Sequence, residues 1–168
     1  MKTSTPLSFT CPDTQYAVNL ELAAWSTMVN DCIKAGTNET GGILIGRYTS
    51  DQSLALITEI TSCPKDSIFS TTTFQRGAAG LKEILASRWK EGFHYIGEWH
   101  FHPGGSPEPS GPDIRAMRSI AANSNYSCRE PILIILGGQP PGKVTLSVTV
   151  FPSKDPSVRL NPTHPKRR

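Results

Sequence analysis

Apolar residues recur at helical spacing in two segments of the chain. In residues 20–35 the apolar positions form one face and Gly36 ends the run; they are Leu20, Leu22, Ala23, Ala24, Met28, Val29, Cys32 and Ile33. In residues 78–90 they are Leu81, Ile84, Leu85 and Trp89. Because a helix brings residues three and four apart onto the same side, each segment predicts an amphipathic helix packed on an apolar surface.

Short apolar segments bounded by Gly, Pro or polar residues are typical of β-strands. Five such segments predict strands, and they are residues 41–49, 54–63, 94–102, 131–138 and 144–151. The first two are close enough to form a hairpin, and 131–138 is apolar throughout, as in a strand that is buried on both faces.

The segments between these elements carry weaker patterns. Residues 67–75 and the Pro- and Gly-rich stretch 103–112 predict irregular chain, and residues 113–123 predict a short helix. The order of elements therefore predicts an α/β fold, in which a mixed sheet has helices packed against it.

Length and charge describe one soluble domain, expected over residues 16–152 between a lead-in (1–15) and a Pro-rich, basic tail (153–168). The 168 residues suffice for one core, and 17 Lys and Arg against 14 Asp and Glu leave a net charge of only +3, part of it from the terminal Lys-Arg-Arg. This weak charge indicates no nucleic-acid partner. The chain has no apolar run of about 20 residues and no signal-peptide core, so we expect no membrane partner and a cytoplasmic location.

The segment GEWHFHPGGSPEPSGPD, residues 97–113, carries the strongest candidate chemistry. On a strand, His100 and His102 point to the same side about 6.6 Å apart, while Phe101 points to the other. Two imidazoles and a carboxylate suit Zn²⁺, and Asp113 supplies the carboxylate if the loop folds back. Three protein ligands leave a fourth position for water, as in catalytic zinc sites. An isolated H-x-H pair is equally compatible with two polar residues on a wet face.

The wider pattern resembles the JAMM motif of the JAB/MPN (Mov34) metallopeptidases. The H-x-H-P sequence is followed by S-x-x-D, and Glu39 stands just before the GGxLxG-type strand in NETGGILIG. The resemblance covers about residues 20–150 and implies the JAB/MPN, cytidine-deaminase-like fold with a mostly antiparallel sheet. Phe101 stands where relatives have Ser or Thr; because it points away from the metal, we expect little effect on catalysis.

The resemblance implies a role for each residue of the motif. His100, His102 and Asp113 resemble zinc ligands, and Glu39 resembles the general base that deprotonates water and later protonates the leaving amine. Ser110 resembles the donor that stabilises the oxyanion of the tetrahedral intermediate. Zinc lowers the pKa of a bound water to about 7, which allows a carboxylate to take its proton.

Two charged residues outside the motif have open roles. Glu98 shares the face of His100, and it is either a partner for a histidine N–H or a charged residue at the polar rim of the sheet. Arg76, in the FQRG sequence before the second helix, either lies at the substrate groove or is a solvent residue at a helix N-terminus.

The resemblance also bears on the substrate. YIGEWHFHP, ETGGILIG and TFQRGAAGL are most like bacterial stand-alone JAB proteases encoded beside E1- and E2-like proteins in antiphage (CBASS) operons. This implies cleavage after the C-terminus of a ubiquitin-like or conjugated protein, with the operon's E1/E2-like proteins and nucleotidyltransferase as partners. We expect the extended substrate tail to add to a strand edge beside the zinc site.

Three alternatives remain. The same chemistry would serve a protease that matures a ubiquitin-like sulfur-carrier protein. An inactive MPN scaffold usually lacks ligands, whereas all five motif residues are present here. A nucleic-acid-associated JAB-like protein would share H-x-H-P, but the weak positive charge counts against it.

Overall fold

A computed structural model describes residues 5–163, and the basic end at 166–168 lies outside this range. Within it, no helix is both long and apolar enough to cross a membrane. The elements in chain order are β1 (Leu7–Thr10), β2 (Ala17–Leu20), α1 (Leu22–Ala35), β3 (Thr40–Tyr48), β4 (Leu54–Ile60), β5 (Ile68–Phe69), β6 (Phe74–Gln75), α2 (Leu81–Lys90), β7 (His94–Pro103), α3 (Gly111–Ala122), a 3₁₀ turn (Ser124–Tyr126), β8 (Ile132–Gly138), β9 (Val144–Val150) and β10 (Val158–Pro162).

All predicted helices and strands are present, and the structure adds elements where irregular chain was predicted. Residues 67–75 contain the β5–β6 hairpin, and β1 and β10 lie in the two terminal segments. These strands are two to five residues long, which is too short for an alternating pattern to identify them. Because β1 and β10 fall outside the predicted boundaries at 16 and 152, we propose that the folding unit spans residues 7–162.

Eight strands form one sheet that closes into a barrel, in the order β1-β10-β9-β8-β7-β3-β4-β2. The neighbouring pairs are antiparallel except β2 with β4 and β7 with β8, so the predicted mixed, mostly antiparallel sheet is confirmed. Closure leaves this sheet without a free edge in the described chain. The separate two-stranded β5–β6 sheet does have free strand edges.

The sheet separates two apolar clusters. On one side Met28 of α1 packs with Leu44 and its neighbours in the barrel. On the other side Leu81 of α2 and Met117 of α3 pack against Ile43 and its neighbours. Strands buried on both faces explain the nearly continuous apolar runs of the sequence.

A bulge in β7 determines which face of the sheet carries the polar residues. Leu44 of β3 lies opposite Gly97 and Ile45 lies opposite Tyr95, so Ile96 is one extra residue in β7 relative to its partner strand. A Cβ at residue 97 would collide with the backbone of β8, which explains the glycine. Beyond the bulge, His100 and His102 lie on the face that α2 and α3 cover.

Candidate metal centre

Strand β7 and helix α3 bring the two histidines and the aspartate together. Nδ1 of His100 lies 2.9 Å from Oδ1 of Asp113, and Nε2 of His102 lies 3.5 Å from Oδ2 of the same carboxylate. His100 and Asp113 are buried, and His102 is partly buried. Phe101 points into the opposite cluster, as predicted from the strand periodicity.

Hydrogen bonds to neighbouring strands hold the loop that returns from β7 to α3. Gly105 N–H donates to the carbonyl of His102 (3.1 Å), and Gly138 N–H on β8 donates to the carbonyl of Gly105 (3.0 Å). The Ser147 hydroxyl on β9 donates to the carbonyl of Pro107 (2.5 Å). The loop is therefore irregular in conformation but fixed in place, and it delivers α3 to the histidines.

The N-terminus of α3 is built from two motif residues. Ser110 is the N-cap residue: its Oγ accepts the Asp113 N–H (3.2 Å), and Asp113 Oδ2 accepts the Ser110 N–H (2.8 Å). The Ser110 hydroxyl also donates to Asp113 Oδ2 (2.7 Å). This capping box holds the carboxylate towards the histidines. The Ser110 hydroxyl is therefore hydrogen-bonded to Asp113 and does not point into open space.

Each histidine has a different partner on its second nitrogen. Nδ1 of His102 lies 3.1 Å from the carbonyl of Ser106, which can only accept, so this nitrogen carries a proton and Nε2 faces Asp113. Nε2 of His100 lies 3.8 Å from Oε2 of Glu98. A backbone carbonyl and a carboxylate are the usual outer partners of metal-binding histidines.

The cluster stabilises positive charge. Burial alone lowers the pKa of His100, but its hydrogen bond to Asp113 and the nearby Glu98 raise it to about 9. Burial likewise opposes ionisation of Asp113, yet hydrogen bonds from His100 and His102 hold its pKa well below the ordinary value. A site that favours a proton between two carboxylates is also favourable for a divalent cation.

Glu39 lies at the edge of this cluster. Thr40 is opposite Phe101 in the β3–β7 ladder, which places Glu39 alongside His102. Its backbone N–H donates to the carbonyl of Ser70 in the loop of the β5–β6 hairpin (2.8 Å). Burial raises the pKa of the Glu39 carboxyl, and the charges of His102 and Asp113 act on it in opposite directions. A raised pKa brings a carboxylate closer to the range useful for proton transfer.

The donor set of the cluster fits zinc. Tetrahedral ligands about 2.1 Å from one ion lie about 3.4 Å apart, and the 3.5 Å between His102 and Asp113 matches this spacing. The 2.9 Å between His100 and Asp113 is a hydrogen-bond distance, and no group of three such side chains in residues 5–163 surrounds a common point in the way that metal ligands do. The nitrogen and oxygen donors are those that zinc prefers. The distance between His100 and Asp113 is about 0.5 Å shorter than the spacing of two ligands around a tetrahedral zinc ion.

The structure settles the surroundings of Arg76 and Glu98. Arg76 is not a solvent residue: its Nε lies 2.9 Å from both carboxylate oxygens of Glu98, and the side chains are only 13% and 6% exposed. Glu98 is accordingly not at the polar rim of the sheet. Sequence reasoning left both residues open because the pairing joins two elements that are far apart in the chain.

Phe74 is a neighbour of the site that the sequence did not reveal. Its ring packs edge-on against His100 with centroids 5.0 Å apart. A Cβ at Gly41 would lie 2.7 Å from the Phe74 ring and would collide with the Trp99 carbonyl, so a glycine is required where β3 passes the site. Phe74 lies in a two-residue strand, and no motif or periodicity marks it.

The sequence is similar to one known domain family and to named bacterial proteins. A family profile described as prokaryotic homologs of the JAB domain matches residues 22–149. A protein of Enterobacter hormaechei subsp. hoffmannii, named CD-NTase/cGAS isopeptidase, is 54% identical over 92% of this chain and 86% of its own length. The probable metalloprotease y4qB of Sinorhizobium fredii is 30% identical over 67% of this chain and 71% of its own length.

The fold is shared with a solved structure. The solution structure of protein DSY2949 from Desulfitobacterium hafniense superposes with a TM-score of 0.61, covering 82% of this chain and 86% of that one. At 19% sequence identity, this likeness concerns the fold alone.

Proposed function

The chain belongs to the family of prokaryotic JAB-domain homologues and is an isopeptidase of the JAB type, and from this premise we propose a zinc-dependent enzyme that cleaves after the C-terminus of a ubiquitin-like or conjugated protein. In this proposal the enzyme acts in the bacterial cytoplasm and reverses E1/E2-type conjugation in an antiviral system. The observation that carries it is the convergence of His100, His102 and Asp113 beside Glu39.

In the proposed mechanism His100, His102 and Asp113 hold the zinc ion, which when bound supplies Lewis acidity and lowers the pKa of water to about 7. The carboxylate of Glu39 takes the proton of the attacking water and later delivers it to the leaving amine.

We assign Ser110 as a donor to the developing oxyanion, as the motif resemblance implies. In the structure its hydroxyl donates to Asp113. To donate a hydrogen bond to the oxyanion, the hydroxyl must therefore rotate away from Asp113. The backbone N–H of Ser110 continues to donate to the Asp113 carboxylate. A donor aimed at an oxyanion contributes about 3 kcal/mol in comparable sites.

The β5–β6 hairpin is the proposed binding element for the substrate tail. Across residues 5–163 the main sheet has no free edge, whereas this hairpin has two. The hairpin touches the site through the Phe74 ring against His100 and through the Ser70 carbonyl, which accepts the Glu39 N–H. An extended C-terminal tail that pairs with one hairpin edge would run past the metal ligands.

The relatives favour conjugate removal over the maturation of a sulfur-carrier protein. The Enterobacter relative is named as an isopeptidase of CD-NTase/cGAS. We accordingly propose that the substrate is a nucleotidyltransferase of this kind joined to another protein through an isopeptide bond. The operon's E1- and E2-like proteins would be the source of the conjugate.

Two substrates separate these branches. The purified protein is incubated with an isopeptide-linked nucleotidyltransferase conjugate and with a sulfur-carrier precursor that extends beyond its C-terminal Gly. We expect cleavage of the conjugate, loss of activity on chelation and recovery when zinc is added. Cleavage of the precursor alone would establish the maturation function instead.

Variants of the motif test the mechanism within the same assay. Glu39→Gln is expected to keep stoichiometric zinc and lose about 10²–10⁴-fold in activity, because the proton acceptor is absent. His102→Ala is expected to lose zinc by elemental analysis. Full activity of Glu39→Gln with metal bound would remove the general-base assignment, and stoichiometric zinc in both His100→Ala and His102→Ala would remove the ligand assignment.

A further inference from the structure

We propose that Arg76 is a positioning residue for the metal centre, because its buried ion pair with Glu98 fixes the carboxylate that faces Nε2 of His100. This inference rests on the proposed zinc site. Arg76 itself touches neither the three proposed ligands nor the reacting atoms, and it acts through Glu98.

The ion pair is geometrically well defined. Nε of Arg76 lies 2.9 Å from each oxygen of Glu98, and Nη2 lies 2.7 Å from Oε1. The other two nitrogens make further contacts: Nη1 donates to the carbonyl of Gly77 (2.7 Å), and Nη2 reaches the hydroxyl of Tyr126 (3.2 Å). A planar guanidinium with all of these contacts leaves the Glu98 carboxylate one orientation.

The backbone that carries Arg76 is itself held in place. Asp66 accepts the N–H groups of Ala78 and Ala79 (3.0 and 2.9 Å), and the Ser67 hydroxyl oxygen accepts the N–H of Gly77 (2.9 Å). A Cβ at Gly77 would collide with Asp66, so this close approach needs glycine. The segment that delivers Arg76 is therefore ordered by bonds that involve no part of the metal centre.

The Glu98 carboxylate that Arg76 holds also faces the ring of His100. Oε2 lies 3.8 Å from Nε2 of His100, while the other ring nitrogen faces Asp113. The His100 ring therefore lies between two carboxylates, one a proposed ligand and the other a fixed outer partner. An outer carboxylate keeps a ligating imidazole in one ring orientation and in the tautomer that a metal requires.

Without Arg76, this arrangement would change in a defined way. Glu98 would be a buried carboxylate without its guanidinium partner, and it would draw the His100 ring away from Asp113. This change removes the orientation that the proposed ligand needs. The pair also joins the β5–β6 hairpin to β7, because Arg76 directly follows β6.

The test measures zinc affinity by competition with a chromophoric chelator, in wild type and in Arg76→Met. The loss of an outer partner typically weakens metal affinity about 10–100-fold, and we expect a dissociation constant raised by that factor. Arg76→Lys, which retains the charge but not the bidentate contact, is expected to restore part of the affinity. Arg88→Met is the matched control, because Arg88 forms a similar pair with Glu59 (2.6 and 3.1 Å) outside the metal centre; its zinc affinity should remain within about twofold of wild type.

A second variant covers the case in which Arg76→Met does not fold. In Arg76→Met/Glu98→Leu no uncompensated buried charge remains, and replacing a buried ion pair by apolar side chains of similar size usually preserves folding. If Arg76 acts by positioning Glu98, the double variant should bind zinc about 10–100-fold more weakly than wild type, which is the loss expected for a missing outer carboxylate. Wild-type affinity in this folded variant would overturn the inference and leave the zinc site intact, whereas a wild type that binds no zinc would overturn both.

Discussion

At the residue scale, burial decides which reactive side chains are available for chemistry. Glu39 and His102 are partly exposed at the edge of the site, so a substrate can reach them. The four cysteines are all free, but Cys32 and Cys128 are buried while Cys11 and Cys63 are partly exposed. Burial raises the pKa of Cys32 to about 12 and that of Cys128 to about 11. These two thiols are structural, in agreement with a metal-dependent rather than a thiol-dependent mechanism.

Alkylation of the native protein tests this assignment of the thiols. A raised pKa lowers the thiolate fraction, which is the reactive form, and for Cys32 it is about one in ten thousand at pH 8. We expect iodoacetamide to label Cys11 and Cys63 well before Cys32 and Cys128, as followed by mass spectrometry of the peptides. All four should react at similar rates in denaturant. Equal labelling in the native state would contradict the burial of Cys32 and Cys128.

At the scale of single elements, the start of α3 has a structural and a chemical task together. Ser110 caps the helix, and the same bonds hold Asp113 towards the histidines. Helix formation and the orientation of the candidate ligand Asp113 are therefore coupled in one four-residue turn. This explains why the loop before it can be rich in Pro and Gly, since its conformation is set at both ends.

Replacing the cap separates these two tasks. Ser110→Ala is expected to lower the free energy of unfolding by about 1 kcal/mol, because the Asp113 N–H loses its acceptor. Urea denaturation measures this change, and Ser119→Ala is the control, since Ser119 is an exposed residue within α3. Alanine has a higher helix propensity than serine, so the control should be as stable as wild type or slightly more stable. Equal stability of Ser110→Ala and Ser119→Ala would show that the cap does not contribute.

At the scale of the whole molecule, closure of the barrel depends on the two ends of the described chain. β1 pairs with β2 on one side and with β10 on the other. Leu160 of β10 is buried in the same cluster as Phe9 of β1. The Arg159 side chain forms a bidentate pair with Glu108 of the loop that leads to α3 (3.0 and 3.1 Å). Strand β10 thus stabilises the sheet and also contacts the loop beside the candidate metal centre.

A core substitution in β10 tests whether residues 153–163 belong to the folding unit. Leu160→Ala is expected to cost about 2–5 kcal/mol of unfolding free energy, as for other buried leucines. Asn161→Ala, on the adjacent exposed position, should change stability by less than about 0.5 kcal/mol. Thermal and urea unfolding measure both variants. A Leu160→Ala protein as stable as wild type would show that this segment is a dispensable tail.

Much of the site was accessible from the sequence because its geometry is local. The same-side placement of His100 and His102 follows from the two-residue period of a strand, and it holds in the structure. The S-x-x-D spacing from Ser110 to Asp113 is one helical turn, which is also the spacing of a capping box. Glu39 was found through a motif resemblance rather than through a physical pattern.

The sequence by itself determined the types of the longer helices and strands and the same-side placement of His100 and His102, because both depend on side chains a few residues apart. Only the tertiary structure decided that the sheet closes, that Arg76 pairs with Glu98 and that Phe74 packs on His100. These contacts join segments far apart in the chain. Their free energy comes from packing and charge pairing in the folded core, and no local periodicity records it.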